Sequence, residues 1–127
     1  MVIKQVNTED AYASSAPLSQ AVIHGDRVYV SGAVPIDPDT EELVDGGVGP
    51  QTEMVMQNIE AILEAAGSSM DLVLRTRIFL TDMDAFGEMN AVYEEFLSEP
   101  YPARTAVKGE MASPEILVEI DVTAVVE

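Results

Sequence analysis

The residue best suited to chemistry in this sequence is Arg104. The chain carries six Lys and Arg residues against 23 Asp and Glu, so each cation needs an explanation. Arg104 follows Pro100-Tyr101-Pro102 and begins an apolar, β-branched run, which predicts the start of a strand beside a loop. A guanidinium held there can bind a small carboxylate through two parallel hydrogen bonds. The alternative is that Arg104 only neutralises acidic neighbours on a very acidic surface.

Four further residues are candidates for a functional role, because each lies at the end of an element or on a polar face. Ser31 and Gly32 follow a predicted strand, and Asn90 lies off the apolar stripe of a predicted helix. Glu119 shares one face of the last predicted strand with Asp121. The simpler readings are that Gly32 marks a bulge and that Glu119 is one surface acid among 23.

Other kinds of site find little support in the sequence. Cysteine is absent, which excludes disulfides, thiolate metal sites and a cysteine nucleophile. The one histidine, His24, falls at a predicted hairpin turn, and we interpret it as structural or solvated. Acids at positions 37, 39 and 41 resemble a calcium loop only weakly, because the required glycine is missing. We expect no metal and no cofactor.

Two helices and six strands are predicted to position these residues. The helices run from Pro50 to a stop at Gly67 and from Asp84 to Ser98. The strands are predicted at residues 1–6, 20–24, 27–31, 72–80, 104–108 and 115–125. Gly25-Asp26 joins the second and third strands as a hairpin turn.

Hydrophobic periodicity supports these elements. The first helix has an apolar stripe of Val55, Ile59, Ile62, Leu63 and Ala66. The second has Phe86, Met89, Val92, Tyr93, Phe96 and Leu97. Its Gly87 costs about 1 kcal/mol relative to alanine, so packing is expected to compensate. The strand at 72–80 alternates, with Leu74, Thr76, Ile78 and Leu80 on one face and Arg75, Arg77 and Phe79 on the other. We interpret Arg75 and Arg77 as ion-pair or interface residues.

The element order predicts one α+β domain spanning residues 1–127. Two helices are expected to cover one side of a mixed sheet. The other side still carries apolar residues, and burying it against further copies of the chain in a closed ring is the simplest solution. We therefore expect a homo-oligomer.

The net charge of −17 limits which partners the protein can bind and the environment in which it stays folded. Polyanion binding needs clustered Lys and Arg, so nucleic acid is not an expected partner. A high-salt cytoplasm, where a Debye length of about 3 Å at 1 M screens self-repulsion, explains the acidity of a folded protein. No apolar run is long enough for a membrane span, and no signal-peptide pattern is present, so we expect a cytoplasmic protein from a halophile.

Five stretches together resemble the YjgF/RidA family. They are Val30-Ser31-Gly32-Ala33-Val34-Pro35, the helix segment from Asn58 to Gly67, Met89-Asn90-Ala91-Val92-Tyr93-Glu94-Glu95-Phe96, Pro102-Ala103-Arg104-Thr105-Ala106-Val107 and Leu117-Val118-Glu119-Ile120-Asp121. The resemblance implies a chorismate-mutase-like α+β fold and a barrel-like homotrimer with clefts between subunits.

The same resemblance implies an activity. Members hydrolyse reactive enamine and imine intermediates of the 2-aminoacrylate type to 2-keto acids and ammonia, as 2-iminobutanoate/2-iminopropanoate deaminases. The family arginine that holds the substrate carboxylate falls on Arg104, and Ser31, Gly32, Asn90 and Glu119 fall on cleft positions. We hypothesise that Glu119 positions the attacking water or moves its protons.

Two positions depart from the family pattern. Leu18 stands where many family deaminases have a tyrosine, so a hydroxyl that bonds substrate or water is lost. Ala106 replaces a frequent cysteine, whose main-chain carbonyl can act with any side chain.

The alternative function is a non-catalytic trimer that binds small carboxylates or acts like a chaperone. RNA cleavage, a third possibility, is disfavoured by the charge.

Overall fold

The computed structural model describes residues 2–127 of the chain, so the first residue of the strand predicted at 1–6 lies outside the described part. Six strands and two α-helices follow in order along the chain. They are β1 (Lys4–Val6), β2 (Ala21–His24), β3 (Arg27–Ala33), α1 (Val48–Ala65), β4 (Val73–Leu80), α2 (Phe86–Tyr93), β5 (Ala103–Lys108) and β6 (Val118–Val125). The predicted α+β class and order of elements are confirmed.

All six strands form one mixed sheet in the order β1-β2-β3-β6-β4-β5. Neighbouring strands are antiparallel except β4 and β5, which run parallel because α2 carries the chain back between them. β6 lies between β3 and β4 and thus joins the two halves of the chain. The β3–β6 ladder shifts register between Val30 and Ala33, so Ser31 and Gly32 lie in an irregularity of β3.

Helix α1 packs against the sheet with the predicted stripe. Val55, Ile59, Ile62, Leu63 and Ala66 are all buried, and α1 contacts β3 and β6 while α2 packs on α1. The helix begins two residues before Pro50, which still falls in the first turn, where a missing N–H costs no helical bond. It ends as predicted at Gly67, whose φ of +83° allows the amides of Gly67 and Ser68 to bind the carbonyls of Glu64 and Leu63.

One detail of the predicted pattern is wrong. Alternation places Leu74 on the same face of β4 as the buried Thr76, Ile78 and Leu80, but Leu74 is 43% exposed, because the β4–β6 register shifts between Val73 and Arg75 and places Val73 inward instead. Gly87 is exposed and a Cβ at this position would meet no atom within 4 Å, so any packing that offsets its cost comes from other residues of α2. Nothing in its surroundings therefore requires glycine.

Several element ends also differ from the prediction. The second helix is α-helical only over Phe86–Tyr93, with 3₁₀ turns at Met83–Ala85 and Glu94–Phe96. β6 begins at Val118, three residues later than expected, so residues 109–117 form a loop. Within residues 2–127, no helix has the length and apolar composition to cross a membrane.

The face of the sheet away from the helices carries a row of charged and apolar side chains. Arg77 and Asp121 form a bidentate ion pair there, with Nε–Oδ1 at 3.0 Å and Nη2–Oδ2 at 2.9 Å. This confirms the interpretation of Arg77 as an ion-pair partner. Tyr29 and Val107 are 48% and 41% exposed, so this face retains accessible apolar surface.

Candidate functional site

Arg104 is the second residue of β5 and is held from the helix side of the sheet. Its Nη1 donates a hydrogen bond to Asn90 Oδ1 at 2.7 Å. Its Cζ lies 5.2 Å from the ring centroids of both Phe86 and Tyr93, within the range of cation–π attraction. We call these four residues the Arg104 site.

The three residues that hold the guanidinium come from one face of α2. Phe86, Asn90 and Tyr93 are spaced at i, i+4 and i+7, which places them in a row along the helix. The sequence pattern identified Phe86 and Tyr93 as core residues only, and it separated Asn90 from them. Their helical spacing was the available signal that all three meet the same side chain.

Tyr93 connects the Arg104 site to the core of the sheet. Its hydroxyl lies 2.8 Å from Oγ1 of Thr76, a buried residue that is paired directly with Arg104 in the parallel β4–β5 register. Burial raises the pKa of the Tyr93 hydroxyl, and the Thr76 hydrogen bond and the charge of Arg104 oppose that rise. Tyr93 therefore stays neutral near pH 7 and presents its ring, rather than a charge, to the guanidinium.

Arg104 forms no ion pair with any residue among 2–127, although the chain contains 23 Asp and Glu. The two ion pairs in this part of the chain use Arg27 and Arg77. A guanidinium has five N–H donors, and Asn90 occupies one of them. Neutralisation of acidic neighbours thus does not explain Arg104, which retains donors for an external anion.

A cavity of about 360 Å³ opens at Arg104 and is lined by Asn90, Tyr93, Glu94, Tyr101, Pro102 and Arg104. Its size suits a small molecule. The planar, bidentate geometry of the guanidinium selects a carboxylate over a spherical anion. No cluster of three or more His, Cys, Asp or Glu suited to a metal ion occurs among the described residues.

The other predicted site residues surround a second cavity of about 340 Å³, which we call the Glu119 cavity. Leu18, Ser31, Gly32, Ile36, Ile116 and Glu119 are among its lining residues. A Cβ at Gly32 would collide with the Glu119 carboxylate, so a side chain at this position would displace that carboxylate from its place beside β3. The irregularity in β3 and the carboxylate thus form one structural unit.

Glu119 has an altered acidity in this position. Burial raises the pKa of its half-buried carboxyl group, and the negative charge of nearby Asp121 raises it further. Within residues 2–127, Glu119 forms no ion pair. A carboxyl group with a raised pKa beside a cavity is a candidate general acid or base.

Ser31 bonds β3 to the residues that precede β2, and Leu18 lies in that same stretch of chain. Ser31 Oγ donates to the carbonyl of Ser19 at 2.6 Å, and its amide donates to the carbonyl of Gln20 at 3.0 Å. Leu18 is 51% exposed and contributes hydrocarbon to the cavity wall. The Ser31 hydroxyl can therefore accept, but no longer donate, a hydrogen bond to a ligand.

Two buried amides that the sequence did not single out shape the Glu119 cavity. The Nε2 of Gln20 donates to the carbonyls of Thr8, Ala11 and Tyr12, while its Oε1 accepts from the Thr8 amide. Asn58 accepts from the Tyr12 amide and donates to the carbonyls of Val34 and Ile36. These bonds fix the irregular segments on both sides of the cavity. The sequence carried no local signal for this role.

Within one chain, the predicted site residues do not all lie around the same cavity. Arg104 and Asn90 line one cavity, and Leu18, Ser31, Gly32 and Glu119 line the other. Ala106 is partly buried against the core, two residues after Arg104 on β5. The candidate site therefore consists of two separate halves.

Comparison with known proteins gives a consistent result. A family model described as Endoribonuclease L-PSP matches residues 8–126. A RutC family protein of Pyrococcus horikoshii is 43% identical over 117 residues, which cover 92% of this chain and 93% of that protein.

Two solved structures show the same fold. The crystal structure of RidA from an Antarctic Psychrobacter species has a TM-score of 0.92 at 41% identity, covering 97% of this chain and 99% of that one. The crystal structure of E. coli TdcF with bound serine has a TM-score of 0.90 at 30% identity, covering 98% and 99%. The six-stranded sheet with two helices is thus shared with both proteins.

Proposed function

The chain belongs to the Endoribonuclease L-PSP family, which includes YjgF, RidA and RutC proteins, and on that premise we propose that it hydrolyses small imines and enamines of the 2-aminoacrylate type to 2-keto acids and ammonia. The observation that carries the proposal is Arg104, an exposed guanidinium with unused donors and no acidic partner among the described residues. An α-imino acid offers the planar carboxylate that such a group binds. Bound serine in the related TdcF, also a small carboxylate, supports this choice.

The proposed reaction needs water and a proton carrier. The water oxygen forms a bond to the imine carbon, the C–N bond breaks, and nitrogen leaves as ammonia carrying both hydrogens of the water. Glu119, with its raised pKa, takes the two protons of the water one after the other and delivers each to nitrogen. Arg104 fixes the carboxylate so that the imine carbon faces the water. The reaction as proposed uses no cofactor.

We propose that a complete site forms between copies of the chain in a homotrimer. Arg104 is paired with Thr76, and Glu119 is paired with Phe79 three positions along β4. Side chains alternate along a strand, so an odd separation puts Arg104 and Glu119 on opposite faces of the sheet. In a closed, barrel-like ring, Arg104 of one copy can meet Glu119 of the next. The exposed Tyr29 and Val107 support burial of the helix-free face.

The experiment that tests the activity compares wild type with Arg104→Ala. The rate of 2-keto acid appearance from imines released in situ by an amino-acid oxidase is measured. Loss of two charge-assisted hydrogen bonds is expected to lower kcat/KM at least about 100-fold. Arg27→Ala, which removes the same charge at a hairpin outside both cavities, should leave the rate unchanged. An undiminished rate in Arg104→Ala contradicts the carboxylate-binding role.

A second candidate is a non-catalytic trimer that binds small carboxylates. Leu18 favours it, because this residue offers no hydroxyl to a water in the Glu119 cavity. A binder shows saturable affinity for 2-keto acids and no acceleration of imine hydrolysis, so the same assay separates the two functions. RNA cleavage, which the family description names, is not proposed, because a net charge of −17 repels a polyphosphate.

We also propose a salt-rich cytoplasm as the setting. Only two ion pairs form among residues 2–127, so most of the 23 acidic side chains have no cationic partner within the chain. Their mutual repulsion destabilises the folded state unless salt screens it.

A further inference from the structure

The Glu119 cavity is walled mainly by hydrocarbon. Beyond the carboxylate, its lining includes Leu18, Val34, Ile36, Ile62, Ala112 and Ile116. These residues come from different parts of the chain, and the cavity places their side chains around one space next to Glu119. A wall of this kind favours an apolar group over water.

Apart from Glu119 and Tyr12, the polar side chains in the wall are already engaged within the protein, including Ser14, whose Oγ accepts from the Ala16 amide. Gln20 and Asn58 use both ends of their amides to bind main-chain groups. Ser31 Oγ donates to the carbonyl of Ser19. Only Glu119 and the Tyr12 hydroxyl keep most of their hydrogen-bonding capacity, so the cavity offers few partners to a hydrated or charged substituent.

The volume of the cavity exceeds what the smallest imino acids require. A cavity of about 150 Å³ is enough to bind benzene, and the Glu119 cavity measures about 340 Å³. A methyl substituent at the imine carbon would leave most of this volume unfilled. A longer or branched hydrocarbon chain would remove more apolar surface from water at the same site.

We propose that the Glu119 cavity binds the side chain of the substrate and selects imino acids with long or branched aliphatic side chains, such as the four-carbon side chain of the leucine-derived imine, over the methyl group of the alanine-derived imine. This inference rests on the proposed imine hydrolysis. It assigns three roles to three regions: Arg104 holds the carboxylate, Glu119 faces the reacting carbon, and the hydrocarbon wall receives the side chain.

The segment at 13–18 offers a matched pair of variants. Ala13 and Ala16 are both exposed alanines in the same irregular segment, but only Ala16 lines the cavity. A phenylalanine at 16 places its ring at the cavity, whereas the same substitution at 13 adds the same apolar surface outside it. Because both positions are exposed, neither substitution overpacks the core.

The test measures 2-keto acid formation from leucine and alanine imines, each released in situ by an amino-acid oxidase. For wild type, kcat/KM for the leucine-derived imine should exceed that for the alanine-derived imine at least about tenfold. Ala16→Phe should lower this ratio about tenfold or more, and Ala13→Phe should change it less than about twofold.

The possible outcomes separate the two proposals. A wild-type ratio of one or less, or an unchanged ratio in Ala16→Phe, overturns the side-chain assignment while imine hydrolysis stands. If wild type accelerates hydrolysis of neither imine, the proposed function fails, and the side-chain assignment fails with it.

Discussion

Arg104 and Glu119 project from opposite faces of the same sheet. Arg104 pairs with Thr76 and Glu119 with Phe79, and these two partners lie three positions apart along β4, an odd separation. The guanidinium accordingly lies against α2, while the carboxyl group lies beside Gly32. The proposed site between copies of the chain would bring the two groups to one small substrate.

Mixed oligomers test this arrangement directly. Arg104→Ala and Glu119→Gln are each expected to be nearly inactive, and coexpression of the two should restore activity. With random mixing, a site receives an intact Arg104 and an intact Glu119 in about a quarter of cases, so about a quarter of wild-type activity is expected. Coexpression of Arg104→Ala with the Arg104→Ala, Glu119→Gln double variant is the control and should stay inactive. Absence of any restoration contradicts a shared site.

Asn90→Ala should weaken substrate binding more than turnover. The amide oxygen of Asn90 accepts a hydrogen bond from the Arg104 guanidinium and thereby orients it. Losing one charge-assisted bond is expected to raise KM about tenfold with a small effect on kcat, because the carboxylate is bound equally in ground and transition states. Asn7→Ala, at an exposed position near the N-terminus, serves as control. An equal fall in kcat would instead give Asn90 a role in the transition state.

The raised pKa of Glu119 predicts a specific pH dependence of stability. The folded protein holds this proton more tightly than the unfolded chain, so the stabilisation is complete below the ordinary glutamate pKa of about 4.3 and is lost as pH rises through the raised value. Glu119→Gln removes this titration. The free energy of unfolding of this variant, measured in urea and compared with that of wild type, should therefore increase as pH rises from the ordinary glutamate pKa through the raised value.

Glu115 provides a control of opposite sign. A hydrogen bond from Ser113 lowers the pKa of the Glu115 carboxyl group, so its stabilisation is present above the ordinary pKa and is lost as pH falls. The free energy of unfolding of Glu115→Gln, relative to that of wild type, should therefore fall as pH rises. If the stability of Glu119→Gln relative to wild type stays constant or falls as pH rises, the raised pKa of Glu119 is refuted.

Gly87→Ala should stabilise the protein. Gly87 lies in the first turn of α2, is exposed, and has open space where a Cβ would be. Alanine at a helical position is favoured by about 0.5–1 kcal/mol over glycine. Gly67→Ala is the contrasting variant, because a φ of +83° strains any residue with a side chain and should cost about 1–2 kcal/mol. Urea unfolding at fixed protein concentration measures both, and a destabilised Gly87→Ala would show that this glycine is needed.

Salt should stabilise the folded state strongly. The chain has a net charge of −17, and repulsion among its carboxylates weakens as the Debye length falls from about 10 Å at 0.1 M to about 3 Å at 1 M. The thermal midpoint is therefore expected to rise steadily from low to molar KCl. A midpoint that does not rise with salt would remove the case for a salt-rich setting.

Local patterns predicted the elements of the fold well. The stripe from Val55 to Ala66 and the stop at Gly67 depend on residues within one helix, and the structure places them as the periodicity indicates. Leu74 was placed wrongly because alternation assumes a regular ladder, and the β4–β6 pair shifts register beside it. A register shift depends on the partner strand, which is distant in sequence.

The candidate residues were easier to predict than their arrangement. Arg104 and Glu119 were singled out by residue type, by place in an element and by family resemblance. That they face opposite sides follows only from the register in which β4 pairs with β5 and with β6. The hydrogen bonds of Gln20 and Asn58 likewise depend on irregular segments whose path no periodicity describes.

The two buried amides have a consequence for how this protein can evolve. Gln20 and Asn58 anchor the ends of the segment that carries Ala16 and Leu18, while the side chains of those two residues stay exposed and contribute nothing to the core. Substitutions there can reshape the Glu119 cavity at little cost in stability. The shape of this cavity can therefore diverge between descendants of this chain while the sheet and the Arg104 site remain under unchanged selection.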